Sequence, residues 1–271
     1  VSLPVPPLAD GGYTVDLGVA GRTVRASFDR RREEWEDNRL GVTDKAISPW
    51  TPLTVARKWP LGAGRTAACW GREYTFGDLG LPEAIRSTQP EPTRGEATVD
   101  LLAGPVSLRI EGLAGPIKVS GKTPRLRQES EASVGVVAEG KAGALRIRTT
   151  GTLEYDGFYT FTVRVEPRQP VEVRSIRLEV ALPDHLACLF NASGEGMRGN
   201  KAFLDLEGLP DGVLWDSIES NVVNDGAGQK RVRVRRDEDI GNFYPHLWLG
   251  DDDRGLAFMG DSTRGRVLDE G

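Results

Sequence analysis

The sequence is poor in the side chains that most often carry chemistry: its 271 residues include two histidines, two cysteines and two methionines. His185 and His246 are far apart and form no helical-turn pair, which excludes a histidine-rich metal site. Cys69 and Cys188 allow one bridge at most; their spacing does not say whether they meet, and buried free thiols are the simpler expectation. No nucleophile elbow, phosphate loop, dinucleotide fingerprint or paired-cysteine zinc motif is present, so neither cofactor nor metal is expected. No apolar run approaches the roughly 18 residues of a membrane-spanning helix. Basic residues are outnumbered, 35 against 40 acidic ones, and the formal net charge of -5 argues against a general nucleic-acid binder. The chain opens on Val1 without a signal-like pattern, so the native start is expected to lie elsewhere.

Turn formers, by contrast, are plentiful. The 33 glycines and 17 prolines are dispersed among Val, Leu and Arg, a composition of many short strands and turns. Period-two segments recur: Tyr13 to Ala20 and Thr23 to Phe28 around Gly21-Arg22, Ala67 to Phe76, Thr98 to Ala103, and Val106 to Ile110. Ala132 to Glu139, Ala144 to Thr150, Gly151 to Tyr155, Tyr159 to Glu166 and His246 to Leu249 continue the rhythm. Val171, Val173, Ile176, Leu178, Val180 and Leu182 share one buried face, with a phase slip, hence a bulge, near Ser175. Gly77 to Gly95 reads as turn-rich, Ser193 to Gly199 as a mobile loop, and the charged stretch Asp29 to Arg39 is the place for a short helix. The expected fold is all-β: an antiparallel β-sandwich of two packed sheets with few short helices. Residues 1–26 form a leading hairpin and 27–271 the sandwich, or one sandwich runs over 1–271.

Each candidate site has a structural counterpart reading. Asp251, Asp252 and Asp253 could attract a cation, but Gly250 and Gly255 bracket them as a solvated hairpin tip. Asp269 and Glu270 are adjacent, so on a strand they point to opposite faces and make a poor acid/base pair. His246 lies among Phe243, Tyr244 and Trp248, where packing or a local hydrogen bond is its natural role. Asn191-Ala192-Ser193 has the form of a glycan acceptor, a tripeptide that also arises by chance. Six tryptophans, at 35, 50, 59, 70, 215 and 248, are the best hint of binding, because an exposed indole stacks on a sugar face, whereas most fill cores. Trp50 and Trp59, in proline-rich irregular sequence, and Trp248 are the carbohydrate-binding candidates.

Three stretches, Trp35-Glu36-Asp37-Asn38-Arg39-Leu40-Gly41, Trp70-Gly71-Arg72-Glu73-Tyr74-Thr75-Phe76-Gly77 and Trp248-Leu249-Gly250-Asp251-Asp252-Asp253-Arg254-Gly255-Leu256-Ala257-Phe258, carry a resemblance, joined by Glu154-Tyr155-Asp156-Gly157. In this order the chain resembles, from about Ser27 to Asp261, the β-sandwich region preceding the catalytic barrel of glycoside hydrolase family 123-like proteins. The resemblance implies a β-N-acetylgalactosaminidase-like parent in which the substrate's acetamido group is the nucleophile, aided by an Asp-Glu pair in a following (β/α)8 barrel. No segment here matches that pair in context, and Asp269-Glu270 does not inherit the role. The expectation is therefore a non-catalytic module that supports or completes a carbohydrate-active domain, with a C-terminal (β/α)8 domain and glycans as partners. An independent carbohydrate-binding module is the alternative, and an acidic pair assembled from distant residues a third reading. The same resemblance implies a secreted or periplasmic location.

Overall fold

The computed structural model describes residues 7–19, 21–39, 41–58, 62–87, 98–194, 200–206, 212–216, 222–224, 229–231, 243–261 and 265–270. Among them there is no helix, and every strand pair is antiparallel. The fold is the expected all-β sandwich, although the described strands fall into seven sheets rather than two. Short strands and frequent turns favour this subdivision. The chain separates into two compact units, Val1–Thr43 and Asp44–Gly271.

The first unit is a hairpin of β1 (Gly11–Val19) and β2 (Arg22–Arg30), with Tyr13, Val15 and Leu17 facing Phe28, Ala26 and Val24 across the ladder. Gly21 supplies the positive φ its turn requires. Tyr13 stacks on Phe28, and Arg25 grips Asp16 with two nitrogens, at 2.6 and 2.8 Å. The charged stretch after it is a turn rather than a helix. Arg30 reaches Glu36 and Arg32 reaches Asp37, and Asp37 takes a positive φ that no helix accommodates.

In the second unit, β3 (Thr54–Lys58), β4 (Gly62–Cys69), β5 (Arg72–Phe76), β6 (Pro82–Ser87) and β7 (Val99–Asp100) form a meander. β6 occupies part of the segment expected to be only turns; Pro82, lacking an N–H, stands at its first residue, where a strand tolerates it. β8 (Ser107–Gly112) pairs with β9 (Gly115–Pro116). β10 (Val119–Gly121), β11 (Arg125–Gln128), β12 (Ser133–Ala142), β13 (Leu145–Glu154) and β14 (Tyr159–Pro167) form the second five-stranded sheet. β13 runs unbroken through Gly151, where the sequence suggested two strands. β15 (Val173–Glu179) returns to pair with β8.

Alternating residues of the β3–β7 and β10–β14 sheets meet in one core, where Leu53, Phe76, Val134, Val136 and Leu153 are fully buried. Each such side chain contributes about 1.5–3 kcal/mol by leaving water. A second core packs Leu108 and Ile110 of β8 against Leu145 and Ile147 of β13. β15 shifts register between Val173 and Ser175, where the phase slip was expected. Ile176 and Leu178, expected to be buried, are instead 48% and 42% exposed. They lie opposite Ile110 and Leu108 and share their face, but β15 and β14 are both sheet edges.

The chain continues through β16 (Leu189–Gly194), β17 (Asn200–Asp205), β18 (Gly212–Asp216), β19 (Val222–Asn224), β20 (Gln229–Arg231), β21 (Phe243–Gly250), β22 (Gly255–Met259) and β23 (Val267–Glu270). β17-β16-β21-β22 form one sheet and β18-β23 another, with Phe190, Ala192, Leu206 and Leu214 buried in their own cluster. Asn191 lies in the central strand β16, paired to both sides, unlike a loop glycan acceptor. Most of Ser193 to Gly199 lies outside the described residues.

Candidate functional site

The turn between β13 and β14 builds one end of the sandwich. Asp156 and Gly157 break the alternation, and Gly157 takes φ +86°, open to glycine at little strain. The Asp156 carboxylate accepts from the Phe158 N–H at 2.9 Å, and the Gly157 N–H donates to the Glu154 carbonyl at 2.9 Å. Two donors from β5 of the facing sheet fasten the turn. Arg72 Nη1 donates to the Asp156 carbonyl and the Tyr74 hydroxyl to the Gly157 carbonyl, each at 2.6 Å. Burial pushes the Tyr74 phenol up to about 12 and raises the Cys69 thiol as well.

Around this frame stand aromatic rings that the core does not need. Trp50 meets Tyr155 edge to face, with ring centroids 5.9 Å apart, and remains 38% exposed. Gln128 Nε2 donates to the Leu53 carbonyl at 2.7 Å and the Leu53 N–H to the Glu131 carbonyl at 2.9 Å, tying the segment after Trp50 to the second sheet. Trp70 occupies the β4–β5 turn between the paired Cys69 and Arg72 and is 44% exposed; Phe158 is 46% exposed. Rigid rings held by hydrogen-bonded turns can stack on a flat apolar face at small entropic cost.

Of the three tryptophans chosen from sequence, this end contains Trp50. Trp59 lies outside the described residues. Trp248 is on β21, half-buried, its indole so close to Gly250 and Gly255 that a Cβ at either would fall 2.7 Å from the ring. Trp70 and Phe158 were missed, although Trp70-Gly71 between two strands is a hairpin-tip signature that places its ring outward. The acidic run also differs from expectation. Asp251 is 7% exposed, and its Oδ1 accepts from the Asp253 and Arg254 N–H groups at 2.8 and 2.7 Å, so it caps the hairpin instead of being solvated. Among the described residues no group of three or more His, Cys, Asp or Glu could hold a metal ion.

A cleft of about 1040 Å³ runs along β8 and, among the described residues, has no aromatic lining. Its carboxylates are Asp78, Glu83, Glu111 and Glu179, of which Asp78 pairs with Arg65 at 2.7 Å and Glu179 with Arg109 at 3.1 Å.

A family model described as glycoside hydrolase 123, third domain, matches residues 62–264. The chain belongs to this family. Searches of curated proteins and of solved structures gave no match. The glycoside hydrolase 123 match runs from β4 through β22 and takes in Trp70, Tyr74, the Glu154–Phe158 turn and Trp248. Trp50, Trp59 and the Trp35 stretch precede it. The description as a third domain implies that others accompany it.

Proposed function

We propose that this glycoside hydrolase 123 domain is a non-catalytic sandwich module that supports or completes a carbohydrate-active domain of its parent protein. The observation that carries the reading is the aromatic end, where Trp50, Trp70 and Phe158 stay exposed on a frame fixed from both sheets. Such rings suit a neighbouring domain's surface or the rim of a glycan cleft. The ion-paired cleft supports the non-catalytic side, since Asp78 and Glu179 serve there as counter-ions. The same exposed indoles favour a second reading, direct binding of sugar by the isolated module.

The decisive assay offers aryl β-N-acetylgalactosaminides to this chain alone. No turnover is expected; turnover abolished by replacing Asp78, Glu83, Glu111 or Glu179 would overturn the proposal. Calorimetry with neutral amino-sugar glycans separates the two readings: heat that disappears in a Trp50→Ala, Trp70→Ala variant assigns sugar binding to the module itself.

A further inference from the structure

The outer face of the β10–β14 sheet carries charge of the opposite sign to the chain as a whole. Alternation turns Val134, Val136, Ile147 and Leu153 inward and leaves the other set of β12, β13 and β14 outward. Together with β11 and Glu129, that outward set carries six cations against four carboxylates. Arg125, Arg127, Lys141, Arg146, Arg148 and Arg164 are all exposed on this face, with Glu139, Glu154 and Glu166 among them. Glu154 and Glu129 lie toward one end, by Ser133 and Gly135. Arg146 reaches Glu139 at 3.4 Å and Arg164 reaches Glu166 at 3.7 Å. Among the described residues, Arg125, Arg127, Lys141 and Arg148 make no ion pair with a carboxylate.

Arg148 and Arg164 are direct partners in the ladder, and like charges so placed destabilise a sheet. Adjacent strands lie about 4.8 Å apart and outward neighbours along a strand about 6.8 Å apart, so Arg146, Arg148 and Arg164 stand close together, flanked by Glu139 opposite Arg148 and Glu166 opposite Arg146. Beside it Thr150, Thr152, Thr160 and Thr162 line up in two cross-strand pairs, presenting hydroxyls that donate and accept. The face has no aromatic ring, so it serves a ligand recognised by charge and hydroxyls.

We propose that this face binds an anionic polysaccharide bearing sulfate or uronate groups. The choice of a glycan rests on the reading of the module as part of a carbohydrate-active protein. The charge pattern supports it too: a ligand lying on one face meets cations, whereas a longer polyanion such as a nucleic acid also meets the field of a chain with net charge -5. The guanidinium groups take the anionic substituents and the threonine rows the sugar hydroxyls.

The test titrates the full chain with a chondroitin sulfate hexasaccharide, with chitohexaose and with a short DNA duplex, at about 50 and about 200 mM salt. Chondroitin sulfate should bind, more weakly at the higher salt, while chitohexaose should not bind through this face. R148Q/R164Q should weaken chondroitin sulfate binding by about tenfold or more with little change in melting temperature, since the like-charge pair it removes offsets the exposed attractions of Arg164 to Glu166 and of Arg148 to Glu139. R148K/R164K, which keeps the charge, should retain most of it. No binding at low salt, equal binding by R148Q/R164Q, or a duplex binding as tightly as the glycan would overturn the assignment. W50A/W70A should leave this titration unchanged, so failure of the aromatic-end reading and failure of the basic-face reading give different results.

Discussion

The Tyr74 hydroxyl donates to the Gly157 carbonyl at 2.6 Å, joining residues 83 apart and tying strand β5 of one sheet to the β13–β14 turn of the other. Tyr159 makes a like bond to the Gly80 carbonyl at 2.7 Å. Burial raises both phenols from the ordinary value of 10, Tyr74 to about 12. The folded chain therefore holds these protons more tightly than the unfolded chain does. Stability is full below pH 10 and should fall above it, by about 1.4 kcal/mol per pH unit for each phenol, Tyr74's share ending near its folded value. Urea midpoints measured from neutral to alkaline pH check this, and Tyr74→Phe should roughly halve the slope. A midpoint that does not respond to alkali would contradict it.

Gly157→Ala should destabilise the aromatic end specifically. It forces an L side chain into φ +86° and places a Cβ 2.5 Å from Arg72 Nη1. The backbone conformation alone costs about 1–2 kcal/mol, and the displaced guanidinium adds the loss of its bond to Asp156. Gly104→Ala, with nothing within 4 Å of the new carbon, should stay within about 0.5 kcal/mol. Equal urea midpoints for the two variants would refute the contrast.

Leu108 and Leu178 face each other across the β8–β15 ladder but differ in cover. Leu108→Ala opens a cavity in the second core and should cost about 2–5 kcal/mol. Leu178→Ala, at an exposed edge, should cost about 1 kcal/mol or less. Paired chemical denaturation curves measure the difference; similar losses would mean that β15 is covered in solution.

Asp251 and Asp252 are neighbours with unlike duties. Asp251→Ala leaves two backbone N–H groups of a tight turn without their acceptor and should destabilise by about 1–3 kcal/mol. Asp252→Ala, exposed, should be near neutral. Added calcium should not raise the melting temperature of the parent chain; an increase that Asp251→Ala abolishes would favour a cation site over a cap.

The sandwich itself was legible because alternation is a local property: the bulge of β15 and the hairpin around Gly21 follow from where apolar residues change phase. Cover is not local. Ile176 and Leu178 face the side their pattern demands, but nothing in seven residues tells a central strand from an edge. Asp29 to Arg39 misled because its charges pair at separations of five and six, which fold a turn as readily as they line a helix. Of the candidate tryptophans, Trp50 could be found from its proline-rich setting. Trp70 resembled a core residue until the Cys69–Arg72 pairing put it at a tip, and the half-burial of Trp248 depends on glycines on both sides of its hairpin.

β8 meets β15 only after the whole β10–β14 sheet has been laid down between them, and Arg109 and Glu179 across that ladder are 70 residues apart. Strands β3 to β7 and β12 to β14 pair neighbour with neighbour and close short loops. Their contacts can assemble early, whereas the β8–β15 seam must wait for a long stretch of chain to be ordered first. This seam should therefore form late, as should the β16–β21 and β18–β23 pairings, and during synthesis the half-built domain leaves the β8 edge unpaired until Glu179 has emerged.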